Sequence, residues 1–328
     1  MDIPPPGEAM HLTRRDCFRW GSAALATAGL SACATHPMPN AQTANAAGTG
    51  FQRKRLGAAT ITAVSDGVAR RPLDASFVRN IPLAQVQATL AAQQLPTTHI
   101  DVPYTCYVIE AQGKRYLLDT GFADNGGPGT GLLHTHLQNA GIAPASIDTI
   151  ILSHLHGDHI NGLRRKNGEL VYPQATVYVA QPEMAFWGDD ARMQAAPEAA
   201  RGGFQNVRRV FNGYPQDKLK LFVPGTRIDG VIDTVPAFGH TPGHTMLAIG
   251  SGKERFTFLG DTTNYPYLFV RHPSWHVMFD MNPEQAATTR QAQLARLAQE
   301  GSWVGGFHFP LPGFGRLQTR SEGFEWLT

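Results

Sequence analysis

The stretch Ser153–Gly162, SHLHGDHING, carries three histidines and an aspartate within six residues, beside two glycines. Imidazoles this dense make a poor core and a good set of lone pairs. The i, i+2 spacing of His154 and His156 lets two rings turn the same way on an extended segment, while Asp158 and His159 face a second point a few ångströms off. The donors are nitrogen and carboxylate oxygen. That set suits zinc, and also manganese, iron or cobalt, and disfavours copper(I) and iron–sulfur clusters. No thiolate is present to suggest a closed structural zinc site.

Three groups downstream repeat the theme. GHTPGHT (Gly239 to Thr245) puts His240 and His244 in a Gly/Pro turn. FLGDT (Phe258 to Thr262) ends an apolar strand on Asp261. GFHFPLPGFG (Gly306 to Gly315) places His308 inside an aromatic strand, where an unpartnered imidazole is costly. Singly these are ordinary: an Asp after a strand is usually a turn former, and a histidine in an aromatic run is more often a hydrogen-bonded core residue. Their joint occurrence points to one site.

Rigid elements must hold such a site. Ala58 to Arg71 reads as a β-branched strand ending in an Asp66-Gly67 turn. Pro82 to Leu95 has helical apolar spacing behind a proline. YTCYVIEAQGKRYLLDTG reads as a strand, a Gln112-Gly113 turn and a second strand ending at Asp119. SIDTIILS is a strand running straight into the histidine loop. GVIDTVPAFGHTPGHTMLAIGSGKERFTFLGDT gives three or four more. Asn282 to Gly301 is the clearest helix, with Asn and Pro at its start and Gly at its end. Strand pairs mixed with helices predict an α+β fold of two sheets covered by helices.

At this point the chain resembles the metallo-β-lactamase superfamily, marked by His-x-His-x-Asp-His and a later His, Asp and His. The resemblance spans residues 55 to 320. Within it, HFPLPGFG and MFDMNPEQAATTR look most like the branch of methyl parathion hydrolase and the acyl-homoserine lactonase-like enzymes. It implies an αββα sandwich with two divalent metals, zinc above all, at the edge between the sheets. His154, His156 and His244 would bind the first metal, and Asp158, His159 and His308 the second. Asp261 would bridge them, and His240 would be a turn residue or a support behind the ligands. Asp119 resembles the family's buried aspartate that supports the metal loop, and Asp66 would be a further support of that kind. A hydroxide shared by the metals would attack a carbonyl carbon or a phosphorus, with Asp158 placed to move a proton and Asp261 between the cations.

The substrate implied is a small ester, lactone or organophosphate triester. Trp187, Phe204 and Phe314 are candidate walls of an apolar pocket. The loop Asn125–Gly131 is glycine-rich where organophosphate-hydrolysing relatives carry bulk, and Asn264 stands where relatives often have His; both bear on specificity. Two other readings stand beside hydrolysis. One is an iron-dependent oxidoreductase of the same fold, resembling persulfide dioxygenases. The other is a non-catalytic metal-binding protein. The first needs a redox metal and a partner group that the sequence does not offer.

The composition bounds these readings. The 328 residues are 42% apolar and 16% charged with a formal charge of +2, enough for a normal core and no cue for a nucleic-acid partner. Residues 1–49 read as an export leader and flexible tether, ahead of one catalytic domain over 50–328. Arg14 and Arg15 precede a short Ala/Gly-rich run, resembling a twin-arginine signal, and Leu30-Ser31-Ala32-Cys33 resembles a lipobox. The expected location is therefore periplasmic, or membrane-attached through a lipid on Cys33, with a homodimer among the open assemblies. Of three cysteines, only Cys106 lies in the globular part, so no internal disulfide forms there.

Overall fold

The computed structural model describes residues 48–328. The expectations for Arg14, Arg15 and Cys33 lie outside the described residues.

A first sheet of seven strands runs in chain order: β1 (Phe51–Leu56), β2 (Ala59–Pro72), β3 (His99–Ala111), β4 (Lys114–Leu118), β5 (Thr149–Ile151), β6 (Thr176–Ala180) and β7 (Leu219–Phe222). Neighbours from β1 to β4 are antiparallel, and those from β4 to β7 parallel. A second sheet has the order β12-β11-β10-β9-β8, from β8 (Arg227–Ile228), β9 (Ile232–Pro236), β10 (Thr245–Ile249), β11 (Phe256–Phe258) and β12 (Trp303–Gly305). A hairpin, β13 (Arg316–Arg320) and β14 (Gly323–Leu327), follows.

The helices are α1 (Leu83–Ala91), α2 (Leu133–Asn139), α3 (Gly157–Ile160), α4 (Gln181–Trp187), α5 (Asp190–Ala195), α6 (Glu198–Phe211), α7 (Pro266–Phe269) and α8 (Pro283–Glu300). The predicted Asn282–Gly301 helix is α8: the Asn282 side chain accepts from Gln285 N at 3.1 Å, and Gly301 ends it at φ 60°.

The sheets face each other through aromatic side chains. The Tyr107 ring of β3 lies 5.3 Å from Phe256 and 5.2 Å from Phe258 of β11. Residues 105–109 of β3 are buried without alternation, as a strand covered on both faces must be. Leu294 and Leu297 of α8 pack with Met246 and Val304 outside the second sheet. The result is the αββα sandwich that the resemblance implied.

Two expectations change. The Asp66-Gly67 pair does not end a strand: β2 continues to Pro72, with a register shift between Ser65 and Gly67. Gly67 at φ 121° lets the strand absorb the extra residue as a bulge. His308 lies beyond the end of β12, on a turn rather than inside a strand. Parallel pairing then explains where the chemistry collects. Strands β4 and β5 are parallel, as are β11 and β12, so Asp119, the His154–His159 loop, Asp261 and His308 all follow the C-terminal ends of strands.

Candidate metal centre

The loop after β5 carries His154 and then His156, the latter in extended backbone, and turns into α3, which carries Asp158 and His159. His154 Nε2 lies 3.0 Å from His156 Nδ1, and His240 Nε2 lies 3.0 Å from the same atom. Asp158, His159 and His308 form a neighbouring group, in which both imidazole Nε2 atoms are 3.5 Å from Asp158 Oδ2. Asp261 stands between the groups: Oδ1 is 3.5 Å from His159 Nε2, and Oδ2 is 3.2 Å from His308 Nε2 and 3.4 Å from His240 Nε2.

The outer nitrogens fix which inner atoms carry lone pairs. His159 Nδ1 donates to Asp119 Oδ2 at 2.7 Å, His240 Nδ1 to Asp280 Oδ1 at 2.9 Å, and His308 Nδ1 to the Pro103 carbonyl at 3.0 Å. Carboxylates and carbonyls only accept, so each Nε2 faces the cluster unprotonated when the ring is neutral. His159 Nε2 and Asp261 Oδ1 are buried without a hydrogen-bond partner. Buried orphans of this kind need an explanation, and a cation between them is the one the donor set fits.

Electrostatics sort the site into two ends. Burial, then the charge of neighbouring imidazoles, holds His154 and His156 well below the ordinary histidine range. Burial also works against charge on His159 and His308, but nearby carboxylates outweigh it: Asp158, Asp119 and Asp261 for His159, Asp261 and Asp158 for His308. Both pKa values are raised. Asp261 is held well below the usual carboxylate range by His308 and His159, against its own burial. The carboxylate end favours positive charge, and the same field would hold a metal ion.

The structure exchanges the expected roles of the two histidines in GHTPGHT. His240 stands in the cluster. The Nε2 of His244 instead accepts the backbone N–H of Asp261 at 2.9 Å, so that lone pair is occupied. Burial, with His240 beside it, pulls His244 down to about 3, in keeping with a neutral acceptor. Its ring lies against Gly260, where a Cβ would come within 2.7 Å of Nε2. His244 therefore supports the Asp261 turn.

Other expected residues fall as follows. Asp119 reaches His159 and also accepts from Ser153 N and Oγ at 2.8 and 2.7 Å. Asp66 is buried but touches no imidazole in the cluster: it accepts the backbone N–H groups of Phe122, Gly131 and Leu133 at 3.0, 3.3 and 3.0 Å, and so fastens the glycine-rich loop. Phe314 is not a pocket wall, since it packs 5.9 Å from Tyr107 and 5.8 Å from Phe256 between the sheets. Phe204 is buried against Trp187, 4.9 Å between centroids. Trp187 alone of the three reaches the site, edge-on to His156 at 5.8 Å. Asn264 is buried and accepts from Tyr265 N.

Sequence reasoning missed four residues. Glu183 is buried and accepts from Leu155 N, Gly243 N and Trp187 Nε1, tying the two histidine loops together. Asp280 lies inside the quoted MFDMNPEQAATTR, but no spacing rule links it to His240. Tyr104 and Phe122 are both partly exposed; the Tyr104 ring stands 5.3 Å from that of His308, and Phe122 stands 4.9 Å beyond it against Tyr104.

The sequence model of the metallo-beta-lactamase superfamily matches residues 100–304, well over half of the chain. The chain belongs to the metallo-beta-lactamase superfamily. Among solved structures, it is similar to AidC, described as a dizinc quorum-quenching lactonase in complex with a product, N-hexanoyl-L-homoserine. Identity is 27% over 85% of this chain and 97% of that one, with a TM-score of 0.75. A hydrolase of the beta-lactamase superfamily, AbOPH, is 26% identical over 86% of this chain and 98% of its own, with a TM-score of 0.79. A probable metal-dependent hydrolase from Staphylococcus aureus shares the fold at 18% identity, with 84% and 98% covered and a TM-score of 0.67. The search of curated proteins found no match.

Proposed function

We propose that the chain is a dinuclear metal hydrolase of small ester-type substrates, with lactones first among them and aryl esters and organophosphate triesters as the alternatives. The carrying observation is the convergence of His154, His156, His240, Asp158, His159, His308 and Asp261, with the outer nitrogens of His159, His240 and His308 tied to obligate acceptors and their inner ones turned to the cluster. His154, His156 and His240 would hold one cation, and Asp158, His159 and His308 the other, with Asp261 reaching both. Divalent cations there supply Lewis acidity and lower the pKa of water toward neutrality. Zinc suits the nitrogen and oxygen donors.

The chain's own groups do the rest. The Asp158 side chain is 23% exposed and Asp261 only 4%. Asp158 is therefore the carboxylate that solvent and substrate can reach, and its oxygens can take a proton from an attacking water or return one to a leaving oxygen. Phe307 lies 3.8 Å from His159, and Trp187 edges His156. These rings keep bulk water from the back of the cluster and lower the local dielectric. Tyr104 and Phe122 give the carboxylate end a partly exposed aromatic flank suited to an acyl or aryl group. The likeness to AidC, a lactonase, supports the lactone class.

The test uses the full chain. Metal per chain is measured, and initial rates are taken on N-acyl homoserine lactones, aryl esters and methyl parathion. Two zinc-like metals and chelator-sensitive lactone opening are expected. One iron per chain with no hydrolysis would move the site to the oxidoreductase reading.

A further inference from the structure

The largest fully buried side chain among the described residues is a cation, Arg290, in the middle of α8. Its Nη2 donates to Asp280 Oδ2 at 2.8 Å, and neither side chain is exposed. A buried ion pair is a weak source of stability, because desolvation offsets the attraction. Its other contacts suggest a different use. The second oxygen of Asp280 accepts from His240 Nδ1 at 2.9 Å. Arg290 Nε donates to the Thr262 carbonyl at 2.7 Å, directly after Asp261, and Nη1 donates to the carbonyls of Trp275 at 2.6 Å and Pro273 at 3.2 Å.

The backbone reinforces the same connection. Met281 N and Asn282 N donate to the carbonyls of His240 and Gly239 at 3.1 and 2.9 Å. Gly239, at φ 127°, lies so close to the first turn of α8 that a Cβ would come within 2.3 Å of Ala286 N. The turn holding His240 is thus pressed on the start of α8, and Asp280 sits at that junction.

We propose that Asp280 and Arg290 are a positioning pair for the metal centre: Asp280 sets the His240 tautomer and ring angle, and Arg290 locks Asp280 to the Asp261 turn. This rests on reading the cluster as a metal site. Because a carboxylate only accepts, the His240 proton stays on Nδ1 and the Nε2 lone pair stays toward His156 and Asp261. A guanidinium is needed because one planar fork serves Asp280 and three carbonyls at once; an ammonium has neither the reach nor the geometry. Asp119 serves His159 on the other sheet in the same way, so each half of the site has its own buried carboxylate.

The test is a zinc titration of the metal-free full chain against a chromophoric chelator, for wild type, Asp280→Asn and Arg290→Lys. In Asp280→Asn, one of the two binding constants should weaken by about 10–100-fold while the other holds. Arg290→Lys should weaken the same constant by less. A downfield imidazole N–H proton resonance, present in wild type and in His244→Ala, should shift or vanish in Asp280→Asn; a role limited to general stability would leave it in place. Should Asp280→Asn not fold, Arg290→Lys carries the same readout. Two metals in wild type with both constants unchanged in the folded variants would overturn this inference alone. A wild-type chain that takes up no metal would overturn the reading of the site and this inference with it.

Discussion

Asp66 and Asp119 invite comparison. Both carboxylates are fully buried, both sit at or beside strands of the first sheet, and both precede a glycine within two residues. They are also spatial neighbours: a Cβ on Gly121 would come within 2.5 Å of Asp66 Oδ2. Yet Asp119 holds an imidazole of the cluster, and Asp66 holds three backbone N–H groups of the loop from Phe122 to Leu133. A buried carboxylate must be satisfied, but burial does not say by what. Asp119 is part of how an imidazole of the cluster is aimed. Asp66 is part of how a loop beside the site is closed.

Removing the Asp66 carboxylate should have the largest effect. Asp66→Ala leaves three N–H groups without an acceptor, at about 1–3 kcal/mol for each that stays buried. A loss of roughly 3–5 kcal/mol in denaturant unfolding is expected, with two metals per chain retained. Metal loss in that variant at conditions where it stays folded would erase the distinction between the two aspartates.

The next test uses protons. Burial raises the Asp66 pKa from 3.8 to about 6, outweighing its three backbone hydrogen bonds. A folded value above the unfolded one means the folded state binds the proton more tightly. The contribution is therefore complete below about pH 4 and lost as pH rises through about 6. A shift of about two units corresponds to about 3 kcal/mol as an order of magnitude. Measured on metal-free protein, the stability of wild type relative to Asp66→Asn should fall between pH 4 and 6 and then level off. A flat difference would mean that the backbone donors, not burial, set the charge of Asp66.

The sequence made the fold and the cluster legible to different depths. Strands and α8 followed from apolar periodicity and helix-end residues, because those signals are local. The convergence of histidines and carboxylates followed because histidines so closely spaced have few other uses. The choice between His240 and His244 did not follow, since both stand in one seven-residue turn and only the Asp261 N–H, on the turn after β11, decides between them. Asp280 and Glu183 were invisible for the same reason: each acts on groups tens of residues away, and nothing in the chain around them differs from a turn former or a helix surface. Phe314 read as a pocket wall because composition cannot separate an aromatic facing a cavity from one between two sheets.

The smallest effect probes Asp119 directly. Asp119→Asn keeps the shape and one acceptor oxygen but removes the charge opposite His159 Nδ1. The amide must also meet Ser153 N and Oγ, which already occupy both oxygens, so one contact turns from acceptor to donor. The His159 proton is then less firmly held on Nδ1 and the Nε2 lone pair is less basic. Weakening by 10–100-fold, roughly 1.4–2.7 kcal/mol, is expected for one metal. It should be the metal that stays tight in Asp280→Asn, because the two carboxylates serve different groups. The double variant Asp119→Asn with Asp280→Asn should weaken both constants, each by about its single-variant amount, since they act on separate imidazoles. Loss of the same metal in both single variants would show that Asp261 couples the two halves so strongly that neither carboxylate has a site of its own.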